Sequence, residues 1–446
     1  MARIDMTNST RQSDMMSRGD LLHQAGLGVA ALTAGTALPG LLNAGTAHAA
    51  ASFSQGTLNV MYWYVPNAQE QRLRSVFDGF GKQHGLTVKY SLEPQSYPDF
   101  VTKITAYLSS GYSGLDAIWQ DDFTTPAFAT AGWLEPLEHV IPRESVAAIS
   151  PEVIKGSTYN GHLYRVPGYA GAVLFFYRKD LLDKEGLHAP RTWQELVQAG
   201  KRLTKGGRYG IGIAGKNGTT ELFNEVAYYI GQAGGHPLYL KTKAARTALT
   251  FIYDMVHTYK IAPPDTPTAD YTSLTTSFQQ GRIAMWPVWG GVLSQFLPNA
   301  KPQSKIAGGG TVAVALPPRG PVNNTTIADS WGWTISKFST NKAMAARFIE
   351  YATSPHAEAT LALNGVAPAR VAVLSDPKVQ QAVPVARYLA VYDKLHLPYP
   401  RPLTPLTQRV SDAIEASVNK YLNNQVSLEA AINEAQQKID QIQRMS

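Results

Sequence analysis

The sequence predicts an α/β protein of two lobes or domains, the first built on a parallel, doubly wound sheet. Three observations predict it. The chain has 446 residues, too many for one hydrophobic core. Its first well-patterned stretch, Thr57 to Trp119, alternates strand and helix signals in the order β-α-β-α-β, which argues for a parallel, doubly wound sheet. Farther on, Ala172–Tyr177 is a continuous apolar run of strand length, so it should be buried on both faces.

The elements follow in order. Thr57–Tyr64 is a strand after Gly56, and Leu73, Val76, Phe77 and Phe80 then recur at helical spacing. Leu86–Tyr90 reads as a second strand, Phe100–Leu108 as a helix and Leu115–Trp119 as a short buried strand. Asp121-Asp122 falls just past the carboxyl end of that strand, the edge where open α/β sheets bind ligands. Asn160-Gly161 predicts a type I′ hairpin, because both residues tolerate positive φ. Pro167-Gly168 is expected to end the strand that follows it. Thr192-Trp193-Gln194-Glu195 is a capping-box pattern opening a helix that stops before Gly206-Gly207. Glu221–Gly231 and Ala244–Thr258 are further helices. Phe278–Gly281 closes another, and Arg282–Trp286, Thr311–Leu316 and Ser330–Ser336 are strands. Lys342–Ala352 and Glu358–Leu363 are helical, and Ser427 caps a last helix with Leu428, Ala431, Ile432, Ala435, Ile439 and Ile442 on one face.

The first 49 residues read as an export signal. Arg3, Arg11 and Arg18 precede an apolar small-residue stretch ending at Ala47-His48-Ala49, an A-x-A cleavage pattern. Ser17–Leu22 resembles a twin-arginine signal whose second Arg is replaced by Gly19, so the export route stays open. The chain has no cysteine, which excludes disulfides, thiolate metal sites, Cys nucleophiles and the lipid anchor a signal-peptide junction could carry. A periplasmic protein that is not a lipoprotein is the expectation. The net charge is +7, but Lys and Arg are scattered with no basic run, so nucleic acid is not an expected partner.

Motif chemistry is sparse. Gly210–Lys216 fits the start of a phosphate loop, but Asn217 stands where Ser or Thr would hold Mg²⁺. The ten His show no metal-ligand spacing, and no G-x-S-x-G occurs. No enzyme activity, cofactor or metal is called for. The alternative function is a secreted glycoside hydrolase using inter-lobe carboxylates. Asp121 and Asp122 are adjacent and point apart, whereas hydrolysis needs carboxylates facing each other roughly 5–10 Å apart, so Glu221 of the other lobe would have to be the partner.

Several ordered stretches carry a family resemblance. They are YNGHLYRVPGYAGAVLFFYRKDLL from Tyr159, LDAIWQDDFTTPAFATAGWLEPL from Leu115 and PRTWQELVQAGKRL from Pro190, then FQQGRIAMWPVW from Phe278 and SWGWTISKFSTNKAMAARFIEYATSP from Ser330. Together they resemble bacterial extracellular solute-binding proteins of the trehalose/maltose-binding type. The resemblance runs from about Gly56 to the C-terminus. It implies the two-lobed periplasmic-binding-protein fold, each lobe an α/β sheet sandwiched by helices, with a multi-strand hinge, a sugar held between the lobes, and delivery to the membrane permease subunits of an ABC transporter by a monomer. A di- or oligosaccharide is favoured, with polyols, glycerol-phosphate-type and other anionic ligands left open. It also implies a first lobe of residues 50–168 plus 291–330 and a second of 169–290 plus 331–446.

Carried over by position, Asp121 matches the carboxylate that accepts from sugar hydroxyls. Trp289 matches an aromatic platform, Trp331 and Gly332 match the site at the last crossing, and Arg370 matches a basic contact. Tyr64 and Asn67 occupy the loop after strand one, and Tyr169 lies at the first crossing. Some members have a carboxylate where Gly171 stands, so that contact is missing or replaced. Such residues suit a sugar, whose C–H face is covered by rings and whose hydroxyls pair with carboxylates, amides and Arg. Other readings stay open. Asp122 fits a helix N-terminal charge as well as a ligand contact, as Glu221 and Asn224 fit a helix start as well as one, Arg370 fits a structural ion pair, Trp286 fits a ligand contact as well as the core, and Trp63, Trp119 and Trp333 fit the core.

Overall fold

The computed structural model describes residues 56–63, 69–93, 97–296, 306–363, 366–395 and 401–444. The export segment, Tyr64 and Asn67 lie outside them. The strands are β1 Thr57–Trp63, β2 Thr87–Glu93, β3 Ala117–Asp121, β4 Thr158–Tyr159, β5 His162–Leu163, β6 Val166–Arg178, β7 Tyr209–Ile211, β8 Ile283–Trp289, β9 Val312–Ala315 and β10 Ala328–Ile335. Two α/β lobes share one mixed sheet of order β2-β1-β3-β10-β6-β8-β7, with β9 also on β6. In the first lobe β1 runs parallel to β2 and β3, as its β-α-β-α-β alternation predicts.

β6 is the crossing. Val166–Ala172 pairs with β10, while Val173–Arg178 pairs with β8 and β9. The hairpin before it is made by Asn160 (φ 48°) and Gly161 (φ 81°), the two positive-φ residues a type I′ turn needs. The expectation that Pro167-Gly168 ends a strand is corrected, since β6 runs through both. Pro167 lies opposite Gly332, next to a register shift between Trp331 and Gly332. A Cβ on Gly332 would stand 2.3 Å from the Val166 carbonyl oxygen, so only glycine lets the strands close here. The bulge accommodates the proline that a regular ladder would reject.

The lobe boundaries also differ from the expected division. Ile306 and Val314 pack on the second-lobe strands, and Ile327 joins the core beneath helix Glu221–Gln232. Trp331, Trp333, Ile335 and helix Lys342–Ala352 instead complete the first-lobe core with β1 and β3. The reason is pairing: β10 lies antiparallel to β3 over Trp331–Ile335, so Trp331, Trp333 and Ile335 fill that core.

Helix Trp193–Leu203 starts on Thr192, whose hydroxyl accepts from Glu195 N–H at 3.1 Å. The Glu195 carboxylate returns to Arg191 N–H at 2.8 Å, one residue earlier than a capping box has it. Helix Leu428–Gln443 is capped by Ser427 and buries the predicted stripe from Ala431 onward. Its neighbour, helix Thr407–Leu422, has no counterpart in the sequence reading. Its buried face includes Ser411, Glu415 and Ser417, which dilute the apolar period.

Candidate functional site

Strand register sets the site. Directly opposed residues of neighbouring strands project to the same face, as do residues i and i+2 of one strand. Asp121 of β3 opposes Trp331 of β10, Trp331 opposes Tyr169 of β6, and Asp329 opposes Gly171. Two residues farther along β6, Val173 opposes Trp289 of β8. Asp121, Trp331, Asp329, Tyr169 and Trp289 therefore form a row on one face, crossing from the first lobe to the second.

Each side chain is anchored. Tyr97 donates to Asp121 Oδ2 at 2.7 Å, and the Thr124 hydroxyl donates to Oδ1 at 3.0 Å. Burial and the neighbouring Asp122 charge push the Asp121 carboxyl up, against the pull of Arg401, Tyr97 and Thr124. The Trp331 ring stacks on Trp63 with centroids 4.9 Å apart and meets Tyr97 edge-on at 6.0 Å. Its indole N–H donates to Asp329 Oδ2 at 3.1 Å. The Gly291 N–H bonds the half-buried Tyr169 hydroxyl, which burial and the Asp329 charge hold well above the usual tyrosine range.

Helix Glu221–Gln232 covers the second-lobe end. Trp289 and Asn224 donate to the Glu221 carboxylate, yet burial and the Glu415 charge raise it to about 7. Glu415 reaches in from helix Thr407–Leu422 and accepts from Gly218 N–H at 2.8 Å and Phe223 N–H at 3.2 Å, satisfying that helix start. Glu221, Asn224, Glu225, Tyr271, Trp286 and Trp289 border a cavity here.

Arg401 joins the halves. Its guanidinium forms a buried ion pair with Asp122 and lies 5.3 Å from the Phe123 ring centroid and 5.7 Å from that of Trp289. The sequence reading had no place for Arg401. Its only signal is a basic residue between Pro400 and Pro402. Asp329 was missed as well, although its i, i+2 spacing to Trp331 puts both on one face.

Three predicted residues stand outside the row, although Trp286 still borders the cavity with Glu221 and Trp289. Arg370 is buried in the first lobe, where it donates to the Ser145 carbonyl at 2.9 Å and the Thr353 carbonyl and lies 3.8 Å from Glu358 Oε1. That is the structural ion pair, and its donors are turned from the row. Trp286 opposes Phe176, on the other face of β8 from Trp289, and packs on Tyr271 and Phe278 at 5.7 and 6.1 Å. Gly332 serves the close approach of β6 and β10. Asp122 points away from Asp121 to Arg401, so the adjacent pair does not form a facing couple.

The chain matches the model of the family described as bacterial extracellular solute-binding protein over residues 66–359, more than half its length. A probable ABC transporter-binding protein of Deinococcus radiodurans is 26% identical over 367 residues, spanning 77% of this chain and 84% of the relative. A mannitol-binding protein of Pseudomonas aeruginosa is 27% identical over 283 residues, spanning 58% and 64%. The maltose-bound MalE3 structure of T. maritima superposes with a TM-score of 0.78 at 27% identity, covering 87% of this chain and all 100% of that one. A Thermotoga lettingae solute-binding protein bound to α-D-tagatose gives 0.76 at 25% identity, covering 87% and 100%.

Proposed function

Because this chain belongs to the bacterial extracellular solute-binding protein family, we propose that it is the exported, periplasmic substrate-binding component of an ABC transporter and holds a sugar or sugar alcohol between its lobes. The observation that carries this reading is the row Asp121, Trp331, Tyr169 and Trp289, which sets carboxylate and indole groups from both lobes on one face. The rings cover the C–H face of a pyranose or the carbon chain of a polyol, and the carboxylates accept from its hydroxyls. Glu221 and Asn224 add polar contacts from the second lobe, and Asp122 holds Arg401 beside Trp289. Arg370 and Gly332 support the frame around this cleft, and Trp286 lines its second-lobe cavity.

Closure follows from ligand contacts that exist only when both lobes touch the ligand. The closed monomer is then recognised by the permease subunits. The carbohydrate-bound structures and the mannitol-binding relative support the ligand class. Hydrolysis finds no such support: every relative named above is a binding protein, and Asp121 and Asp122 are each committed to other partners.

A thermal-shift screen of the chain from Ala50 onward against sugars, polyols and sugar phosphates tests the reading. A ligand that binds only the native state raises its stability with the logarithm of concentration over affinity. The expected result is a shift with at least one neutral carbohydrate, recovered chemically intact. Release of reducing ends, or no shift with any of them, refutes it.

A further inference from the structure

Gly171 and Asp329 face each other across β6 and β10. A Cβ added at Gly171 would lie 1.9 Å from Asp329 Oδ1 and 2.6 Å from the Tyr169 hydroxyl. The Asp329 carboxylate thus occupies the space that a side chain at position 171 would need. Its two oxygens differ. Oδ2 accepts from the Trp331 indole. Oδ1 is buried and has no hydrogen-bond partner among the described residues. A buried acceptor left without a donor keeps its desolvation cost uncompensated, the more so for a charged group. A ligand hydroxyl arriving on this face removes that cost.

The surroundings sharpen the ligand class. Burial and the Asp122 charge push the Asp329 carboxyl up to about 7, with Asp121 adding and Arg401 opposing. Asp121, Asp122 and Asp329 confront Arg401, and Asp122 already neutralises it. A phosphate or carboxylate on the ligand would meet like charge, which rejects it. We propose that Asp329 is the specificity-determining carboxylate of this cleft. Its Oδ1 accepts a hydroxyl hydrogen of an uncharged polyhydroxy ligand, and Gly171 is the residue that makes room for it. This rests on the sugar-binding reading above.

The test is calorimetric titration of D-mannitol, ribitol, maltose and mannitol 1-phosphate into the chain from Ala50 and two variants. Asp329→Asn keeps the shape and deletes the charge, so its unliganded melting temperature reports folding. It should weaken neutral-ligand binding about tenfold or more, ~1.4 kcal/mol. The second variant, Gly171→Asp with Asp329→Gly, moves the carboxylate to the facing strand. It should bind more tightly than Gly171→Asp alone, which crowds two carboxylates into one space. If the wild type binds a neutral ligand and folded Asp329→Asn binds it equally well, the inference falls and the sugar reading stands. A wild type that binds none of the panel overturns the sugar reading and the inference with it. Mannitol 1-phosphate bound as tightly as mannitol overturns the preference for an uncharged ligand.

Discussion

Replacing Arg401 with Met isolates the buried charge that ties the lobes together. Met keeps most of the apolar stem and removes the guanidinium. The ion pair it breaks is well buried, with 5% of the Arg401 side chain and 3% of the Asp122 side chain exposed. Breaking a buried pair from one side leaves an uncompensated charge and costs roughly 3–5 kcal/mol. Losing the guanidinium beside the Phe123 and Trp289 rings adds about 0.5–2 kcal/mol. Arg401→Met should therefore lose about 3.5–7 kcal/mol by the sum of those two contributions. Most of that loss comes from stranding Asp122. Asp122→Asn in the Arg401→Met background should restore several kcal/mol, because the stranded charge is gone. Urea unfolding at neutral pH, followed by tryptophan fluorescence and circular dichroism, measures all four corners of the cycle. If the double variant costs the sum of the two singles, the pair does not couple and the electrostatic account of this contact is wrong.

Three further outcomes are expected. Glu221 is raised to about 7 and Glu225 to about 8, in both cases first by burial. A carboxyl whose folded pKa lies above its unfolded value stabilises below the unfolded value, and that stability is lost as pH rises through the folded one. These two groups should thus make the protein lose stability between about pH 4.5 and 8. Glu225→Gln should flatten the slope seen by urea unfolding at successive pH values, and an unchanged slope contradicts the assignment. Gly332→Ala should destabilise by about 1–3 kcal/mol, because its Cβ meets the Val166 carbonyl oxygen at 2.3 Å and a backbone atom cannot step aside. A melting temperature equal to the wild type would show that the strands part easily. Ser427→Ala removes the hydroxyl that accepts from Ala430 N–H at 3.2 Å and should cost about 1 kcal/mol, with hydrogen exchange faster in the first turn of that helix.

Some of this protein was legible in its residues alone. Local signals survive folding where they act over a few residues. Asn160-Gly161 set its turn by φ, Thr192 and Ser427 capped their helices, and the apolar periods of Lys342–Ala352 and the last helix found their faces. The position of Asp121 at a strand's carboxyl end follows from the β-α-β-α-β order in the same way. Trp289 and Trp331 were placed by strand signals, the one at the end of β8 and the other within β10.

Long-range pairing decided the rest. The lobe to which 306–327, 331–363 and 366–369 belong depends on β10 choosing β3 as a neighbour, a contact between residues far apart in sequence. Arg401 gains its role only because the fold carries it to Asp122, 279 positions away in the chain. Arg370 has similar local sequence chemistry but ends inside the first lobe beside Glu358, where its Nε and Nη2 donate to the Thr353 and Ser145 carbonyls. Gly171 reads in the sequence as a missing carboxylate. Strand register puts Asp329 into that space, because a side chain's surroundings are set by what the neighbouring strand projects beside it. Sequence fixes which groups are available and which local turns they take. Only the tertiary structure decides which charges meet, since desolvation and pairing energies depend on distances the chain order does not specify.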